Sequence, residues 1–222
     1  MVKNGPTTLG MHQKGRFMSI VTVDQCQLVH PDFNAILKGT LDFVCERGYS
    51  HYHKRKHTGL MRHLIIRRGV RTGELLINIC TTSEEGFDEE AYVEMINNLP
   101  LENRIAGVLR TINDRLADAV YCDELRILQG RDYYNEEIMG LKFRVSAFSF
   151  FQTNVEAVEN LYTYAINLID DFSNKKAFDL YCGTGTITQV LARKASEVVG
   201  VEIVEEAVEV ARQTAALNGL DN

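Results

Sequence analysis

Apolar positions in the first two thirds of the chain come in short runs, and after residue 150 they settle into a helical period. FMSIVTV (17–23) has the β-branched content of a strand. PDFNAILKGTLDFVCERG (31–48) reads as a helix opened by proline and closed by glycine. LMRHLIIRRG (60–69) and GELLINICTT (73–82) are joined by a short Arg-Thr-Gly connection and predict a hairpin. A helix is expected around 87–98, ended by Pro100, and IAGVLRTIN, ELRILQG and LKFRVSAF supply further strands between 105 and 148. In VEAVENLYTYAINLIDDF the apolar positions 155, 158, 161, 162, 165, 166 and 169 lie on one helical face. Thr153 with Glu156 three residues on has the form of a capping box, which places the helix start at Thr153. Strand (177–181), glycine turn, helix (about 187–194), strand (197–201) and helix (about 204–218) follow.

This order predicts two architectures in one chain. Residues 1–147 form a central α+β domain with a mainly antiparallel sheet. Residues 148–222 form the N-terminal part of a Rossmann-like α/β domain, whose β-α-β-α order demands parallel strands.

Charge sharpens the picture more than composition does. The 222 residues carry a net charge of −6, and no apolar stretch is long enough to span a membrane. The first residues, MVKNGPTTLGMHQKG, lack the apolar core of a secretory signal. Five cysteines, at 26, 45, 80, 122 and 182, make no CxxC pair, so the sequence indicates a reducing, cytoplasmic setting. Between Arg47 and Arg71 stand eight Lys or Arg, four of the six histidines and no acid. A solvated strand-and-loop face fits that run. So does a phosphate-facing patch with Tyr49 and Tyr52 able to stack on bases, its candidate RNA contacts being Arg55, Lys56, Arg62, Arg67 and Arg68.

The chemistry concentrates in AFDLYCGTGTIT (177–188). In parallel sheets ligands bind beyond the carboxyl ends of the strands, where this strand turns through Gly183 and Gly185 into the next helix. The third glycine of a dinucleotide fingerprint is missing. The next strand, in SEVVGVEIV, ends at Glu202, whose two oxygens can accept both hydroxyls of a ribose. A ribose acceptor with no pyrophosphate cradle favours S-adenosylmethionine over NAD. An unrelated nucleotide-binding oxidoreductase is disfavoured for the same reason.

FSFFQTN (148–154), AFDLYCGTGTIT, VVGVEIVEEAVEVAR (198–212) and NGLDN (218–222) together resemble the RNA uracil-C5 methyltransferase family. LGMHQKGRF, GLMRHLIIRRGVRTGELLINI and LQGRDYYNEEIMGLKFRVSAFSFFQTN match that family's central domain in order and spacing. The ribosomal (23S rRNA) branch is closer than the tRNA branch. The resemblance implies that Gln152, Tyr181 and Glu202 contact S-adenosylmethionine, that Gly183 and Gly185 shape the turn, and that Thr186 follows it. It also implies an RNA partner, rRNA before tRNA.

In such enzymes a thiolate adds to uracil C6, C5 takes the methyl group, and a base removes the C5 proton. The resemblance places that cysteine and base beyond Asn222. This chain is therefore expected to be a fragment lacking both ends, with no catalytic residue of its own and no methyl transfer alone. Cys182, in the cofactor turn, is expected to be a small packing residue. Many members carry an iron–sulfur cluster, and Cys26 reads either as a single remaining ligand of a cluster in a longer protein or as a plain strand-end cysteine. A sheet truncated after two strands would invite self-association. A shortened RNA-binding paralogue without catalysis, and a tRNA (uracil-5-)-methyltransferase, are the alternative readings.

Overall fold

A computed structural model describes residues 7–222 apart from 118, 170 and 173. The chain divides into two compact units, one of residues up to 67 with 75–132, the other of residues 68–74 with 133–222. The division falls at 132/133 instead of the expected 147/148, and the tip of the β3–β4 hairpin described below groups with the second unit. Among the described residues no helix is long and apolar enough to cross a membrane.

The first unit opens with an antiparallel hairpin, β1 (Gly10–Gln13) with β2 (Arg16–Thr22). Helix α1 (Pro31–Glu46) has Pro31 in its first turn, where a missing N–H costs nothing. Its N-cap is His30, whose ring accepts from the Asp32 amide, and the chain leaves through Gly48 at φ 65°. β3 (Met61–Arg68), β4 (Glu74–Thr81), β5 (Arg104–Ile112) and β6 (Glu124–Gly130) form a four-stranded sheet in sequence order, with β5 and β6 antiparallel. α2 (Glu89–Asn97) starts at Asp88, whose carboxylate caps the Ala91 amide at 3.0 Å.

Every residue of β4 is buried, which explains its near-continuous apolar run. Ile36, Phe43, Leu75, Ile77, Ile79, Phe87, Tyr92, Ile96 and Val108 make the core between sheet and helices. Tyr92 is wholly buried, and its hydroxyl meets Thr40 Oγ1 at 3.1 Å. Asp32 is also buried and accepts from the Glu102 and Asn103 amides and Asn103 Nδ2, at 3.0, 3.0 and 2.7 Å. That carboxylate ties the loop before β5 to the start of α1.

The second unit contains an unexpected strand. β7 (Tyr133–Ile138) pairs antiparallel with β8 (Leu141–Ser146). Tyr134, Glu136 and Ile138 point inward, and the acid at the middle position hides the alternation in the sequence. Glu136 is buried because its carboxylate accepts from the amides of Val70, Arg71 and Glu137 at 2.6, 3.0 and 2.9 Å.

α3 (Val155–Asn167) buries Val155, Val158, Tyr162 and Ile166, as its period predicts. Its cap differs from the expected box. Asn154, not Thr153, is the N-cap, because its Oδ1 reaches the Ala157 amide at 3.0 Å and leaves Thr153 outside the helix. β9 (Lys176–Leu180), α4 (Thr186–Ala192), β10 (Glu197–Val201) and α5 (Glu205–Leu217) complete the unit, and β9 and β10 are parallel as expected.

Candidate cofactor cleft

The site begins where β9 and β10 end together. Asp179 stands opposite Gly200 and Leu180 opposite Val201. Beyond Leu180 the backbone alternates into the left-handed region at Tyr181, Gly183 and Gly185, with φ of 64°, 55° and 78°. Glycine takes that conformation freely, whereas a tyrosine there is strained by about 1–2 kcal/mol. The turn is held from both sides. The Cys182 amide donates to the Val201 carbonyl at 3.1 Å, and the Gly183 amide to Glu202 Oε2 at 3.0 Å. Glu202 Oε1 in turn accepts from the Ile203 and Val204 amides at 2.8 and 3.0 Å. These donors, the Val204 amide foremost and then that of Gly183, hold the Glu202 carboxyl below the usual carboxylate range. A charged acceptor is thereby fixed at the strand end, with three of its roughly four lone-pair directions taken by these amides and one left on Oε2, so it can take one ribose hydroxyl and not the expected two.

Close packing at Gly200 sets the turn against β10. A Cβ at Gly200 would lie 2.9 Å from Cys182 Sγ and 3.2 Å from Thr188 Oγ1. Thr188 donates to Asp179 Oδ2 at 2.6 Å, which orients that carboxylate at the mouth of the turn.

The facing wall is the segment that follows β8. Ala147 and Phe151 are buried, and Phe151 packs on Phe143 with ring centroids 5.8 Å apart. Ser149 donates its amide to Ser146 Oγ at 3.2 Å, closing a tight bend. Phe148 and Phe150 are left exposed beside Gln152. Between the walls is a cleft of about 450 Å³. Aromatic side chains (Phe148, Phe150, Phe151, Tyr162, Tyr181) and three carboxylates (Asp179, Glu202, Glu206) dominate it, and among the described residues no Lys, Arg or His lines it.

Of the residues singled out in the sequence, Gln152, Tyr181, Gly183, Thr186 and Glu202 line this one cleft. Gly185 does not: it is the N-cap of α4, and a Cβ there would come within 3.0 Å of Ala211 Cβ on α5. Phe150, Asp179, Tyr162 and Glu206 belong to the lining and were not anticipated. Asp179 carried a signal, an acid between the apolar Phe178 and Leu180, two positions before the turn. Cys182 is half-buried, and burial, followed by the neighbouring Asp179 charge, pushes its thiol above the ordinary range. Such a thiol is a packing group and a poor nucleophile.

The basic segment divides. Arg55 and Lys56 are exposed, and Arg67 and Arg68 are half-buried at the end of β3. Arg62 is committed elsewhere. Its guanidinium donates to the carbonyls of Asn113, Arg115 and Ala117 at 2.8, 2.7 and 2.9 Å and lies 4.0 Å from the centroid of the Tyr52 ring. Tyr49 is also a packing residue: its ring lies 5.6 Å from that of Phe87, and its hydroxyl accepts from the Asp88 amide. Cys26 is held by its backbone, which exchanges two hydrogen bonds with the Asn34 side chain. Among the described residues no group of three or more His, Cys, Asp or Glu gathers as a metal site. Among the described residues Cys26 has no companion ligands for a cluster, which needs four, so the remnant-ligand reading concerns a longer protein only.

Residues 171–222 match the family model of a methyltransferase domain. The whole chain is similar to an uncharacterized RNA methyltransferase of Clostridium tetani, 45% identical over 99% of this chain and 48% of that protein. A counterpart from Caldanaerobacter subterraneus is 46% identical over 99% of this chain and 49% of its own length. This chain thus spans about half the length of the curated relatives it matches. Among solved structures, the tRNA (uracil-54, C5)-methyltransferase of Pyrococcus abyssi in complex with S-adenosyl-L-homocysteine superposes with a TM-score of 0.76. It is 25% identical, and the match covers 91% of this chain and 48% of that one.

Proposed function

We propose that the second unit carries an S-adenosylmethionine-binding cleft of an RNA uracil-C5 methyltransferase, acting on ribosomal RNA in preference to tRNA. The observation that carries this reading is the composition of the cleft. Five of the six cofactor-binding candidates meet there around a left-handed turn, and among the described residues the charged lining is acidic only. A ligand for it bears an aromatic base, hydroxyls and a positive group, and bears no phosphate. S-adenosylmethionine meets those terms, and NAD and ATP do not. Glu202 would take the ribose, Tyr181 would lie along the ligand, Gln152 would reach in from the facing wall, and Gly183 and Thr186 would let it approach the turn. The bound sulfonium supplies the methyl group. The likeness to the S-adenosyl-L-homocysteine complex and to curated RNA methyltransferases supports the same assignment.

The proposed target is uracil C5, and the base would be presented by RNA held in part through Arg55, Lys56, Arg67 and Arg68. The ribosomal preference rests on the motif series in the sequence, and the proposed setting is the cytoplasm, where the five free cysteines stay reduced. Equilibrium dialysis with labelled S-adenosylmethionine tests the cleft. S-adenosylhomocysteine should displace the label, and AMP and NAD should not. Displacement by AMP as strong as by S-adenosylhomocysteine would overturn the assignment.

A further inference from the structure

Asn218 stands outside the cleft, at the C-cap of α5, yet its side chain touches the elements that lead to both cleft walls. Its Oδ1 accepts from the Lys142 amide at 2.8 Å, and its Nδ2 donates to the Lys142 carbonyl at 2.9 Å. The amide group thus pairs with β8 as a neighbouring strand would. The same Nδ2 lies 2.8 Å from Gln189 Oε1 on α4 and 3.1 Å from the Thr214 carbonyl on α5. Lys142 is four residues before Ser146, where the aromatic wall of the cleft begins. Gln189 is one helical turn beyond Gly185, whose carbonyl accepts the Gln189 amide at 3.0 Å. Gln189 is itself buried, and its Nε2 has no hydrogen-bond partner among the described residues and lies 3.6 Å from where a Gly185 Cβ would stand.

We infer that Asn218 is a positioning residue, which holds the β8 wall and the glycine-turn wall at a fixed separation through Lys142 and Gln189. A helix cap alone would need neither bond. A carboxamide is suited to the task because it supplies a donor and an acceptor in one plane, matching the N–H and C=O of a strand residue. Alanine supplies neither, and aspartate supplies only the acceptor.

The functional consequence rests on the cofactor reading, but the positioning does not, so two measurements are paired. Asn218→Ala and Asn218→Asp are compared with Thr214→Ala, a change on the same helix that removes a buried side chain whose hydroxyl bonds within α5, to the Val210 carbonyl. All are studied at a temperature where circular dichroism shows them folded. Amide hydrogen exchange is read at Lys142 and through α4. Asn218→Ala should lose at least tenfold in protection at both places, Asn218→Asp should lose it in α4 while sparing the Lys142 amide, and Thr214→Ala should change neither. Calorimetry with S-adenosylhomocysteine should show tenfold or greater weakening for Asn218→Ala and less than twofold for Thr214→Ala. Unchanged exchange in Asn218→Ala, or equal loosening in Thr214→Ala, would overturn the positioning role. Normal exchange effects with no binding by the unsubstituted protein would instead overturn the cofactor reading and leave Asn218 as the link between the walls.

Discussion

The contact between Gly200 and the cofactor turn can be tested by adding one methyl group. Gly200 needs no side-chain-forbidden dihedral, so alanine meets only a steric obstacle, 2.9 Å from Cys182 Sγ and 3.2 Å from Thr188 Oγ1. Neither neighbour sits at the far end of a flexible chain, so β10 or the turn must shift. Overpacking of this kind costs about 1–3 kcal/mol, offset by about 0.4–1 kcal/mol from the stiffer unfolded chain. Gly200→Ala should therefore destabilise by roughly 0.5–2 kcal/mol. Cys182→Ala removes the closest atom, so in the double variant much of the penalty should vanish, with a favourable coupling of about 1 kcal/mol. Urea unfolding followed by circular dichroism reads this as midpoints shifted at constant slope. If Gly200→Ala matched the unsubstituted protein, or the two changes added within about 0.3–0.5 kcal/mol, the packing of turn on strand would be refuted.

Asp32 gives a pH dependence. Burial alone would raise its pKa, but the Glu102 amide and the Asn103 side chain and amide outweigh that and hold it below the ordinary value. Its stabilisation is therefore complete above the unfolded pKa and is lost as pH falls through the lower folded value. Asp32→Asn should cost about 2–3 kcal/mol at pH 7 and flatten the acid limb of the stability curve below about pH 4, and an unchanged acid limb would contradict this. Charge reversal at Arg67 and Arg68 in an RNA-binding assay should weaken affinity and reduce its salt slope, whereas Arg62→Ala should act chiefly by lowering thermal stability. Equal loss of affinity without destabilisation for Arg62→Ala would reverse that division. Phe178, Leu180, Val199 and Val201 are exposed on adjacent positions of the two parallel strands, and a second copy of this chain is the occupant we expect for them. Sedimentation should show reversible dimers at high micromolar concentration, and a clean monomer would count against it.

The elements with a single strong period were legible in the sequence. α1, α3 and β4 could be read because each buries one consistent face or every position. β7 could not, because its inward row includes Glu136, whose apolar surroundings are tolerable only through amides contributed from 70, 71 and 137. The start of α3 was misread by one residue since Thr153 and Asn154 are both capable caps, and only geometry selects the one whose oxygen reaches Ala157. In the cleft, Glu202 and Gly183 are the lining residues that spacing in the sequence singles out. Phe150 gives no such signal and Asp179 only its place two positions before the turn, since their settings depend on the buried anchors Ala147 and Phe151 and on a threonine nine residues away. Arg62 shows the converse: a basic run cannot reveal which of its members is spent on backbone carbonyls within the protein.

The acidic, aromatic cleft around Glu202 is proposed to bind an adenosine ligand without phosphate. Calorimetric titration of the protein and of Glu202→Ala with S-adenosylhomocysteine tests it most directly. Binding should be saturable and should weaken at least tenfold in Glu202→Ala, with no binding of NAD by either protein. Equal affinity in both proteins, or tighter binding of NAD than of S-adenosylhomocysteine, would contradict it.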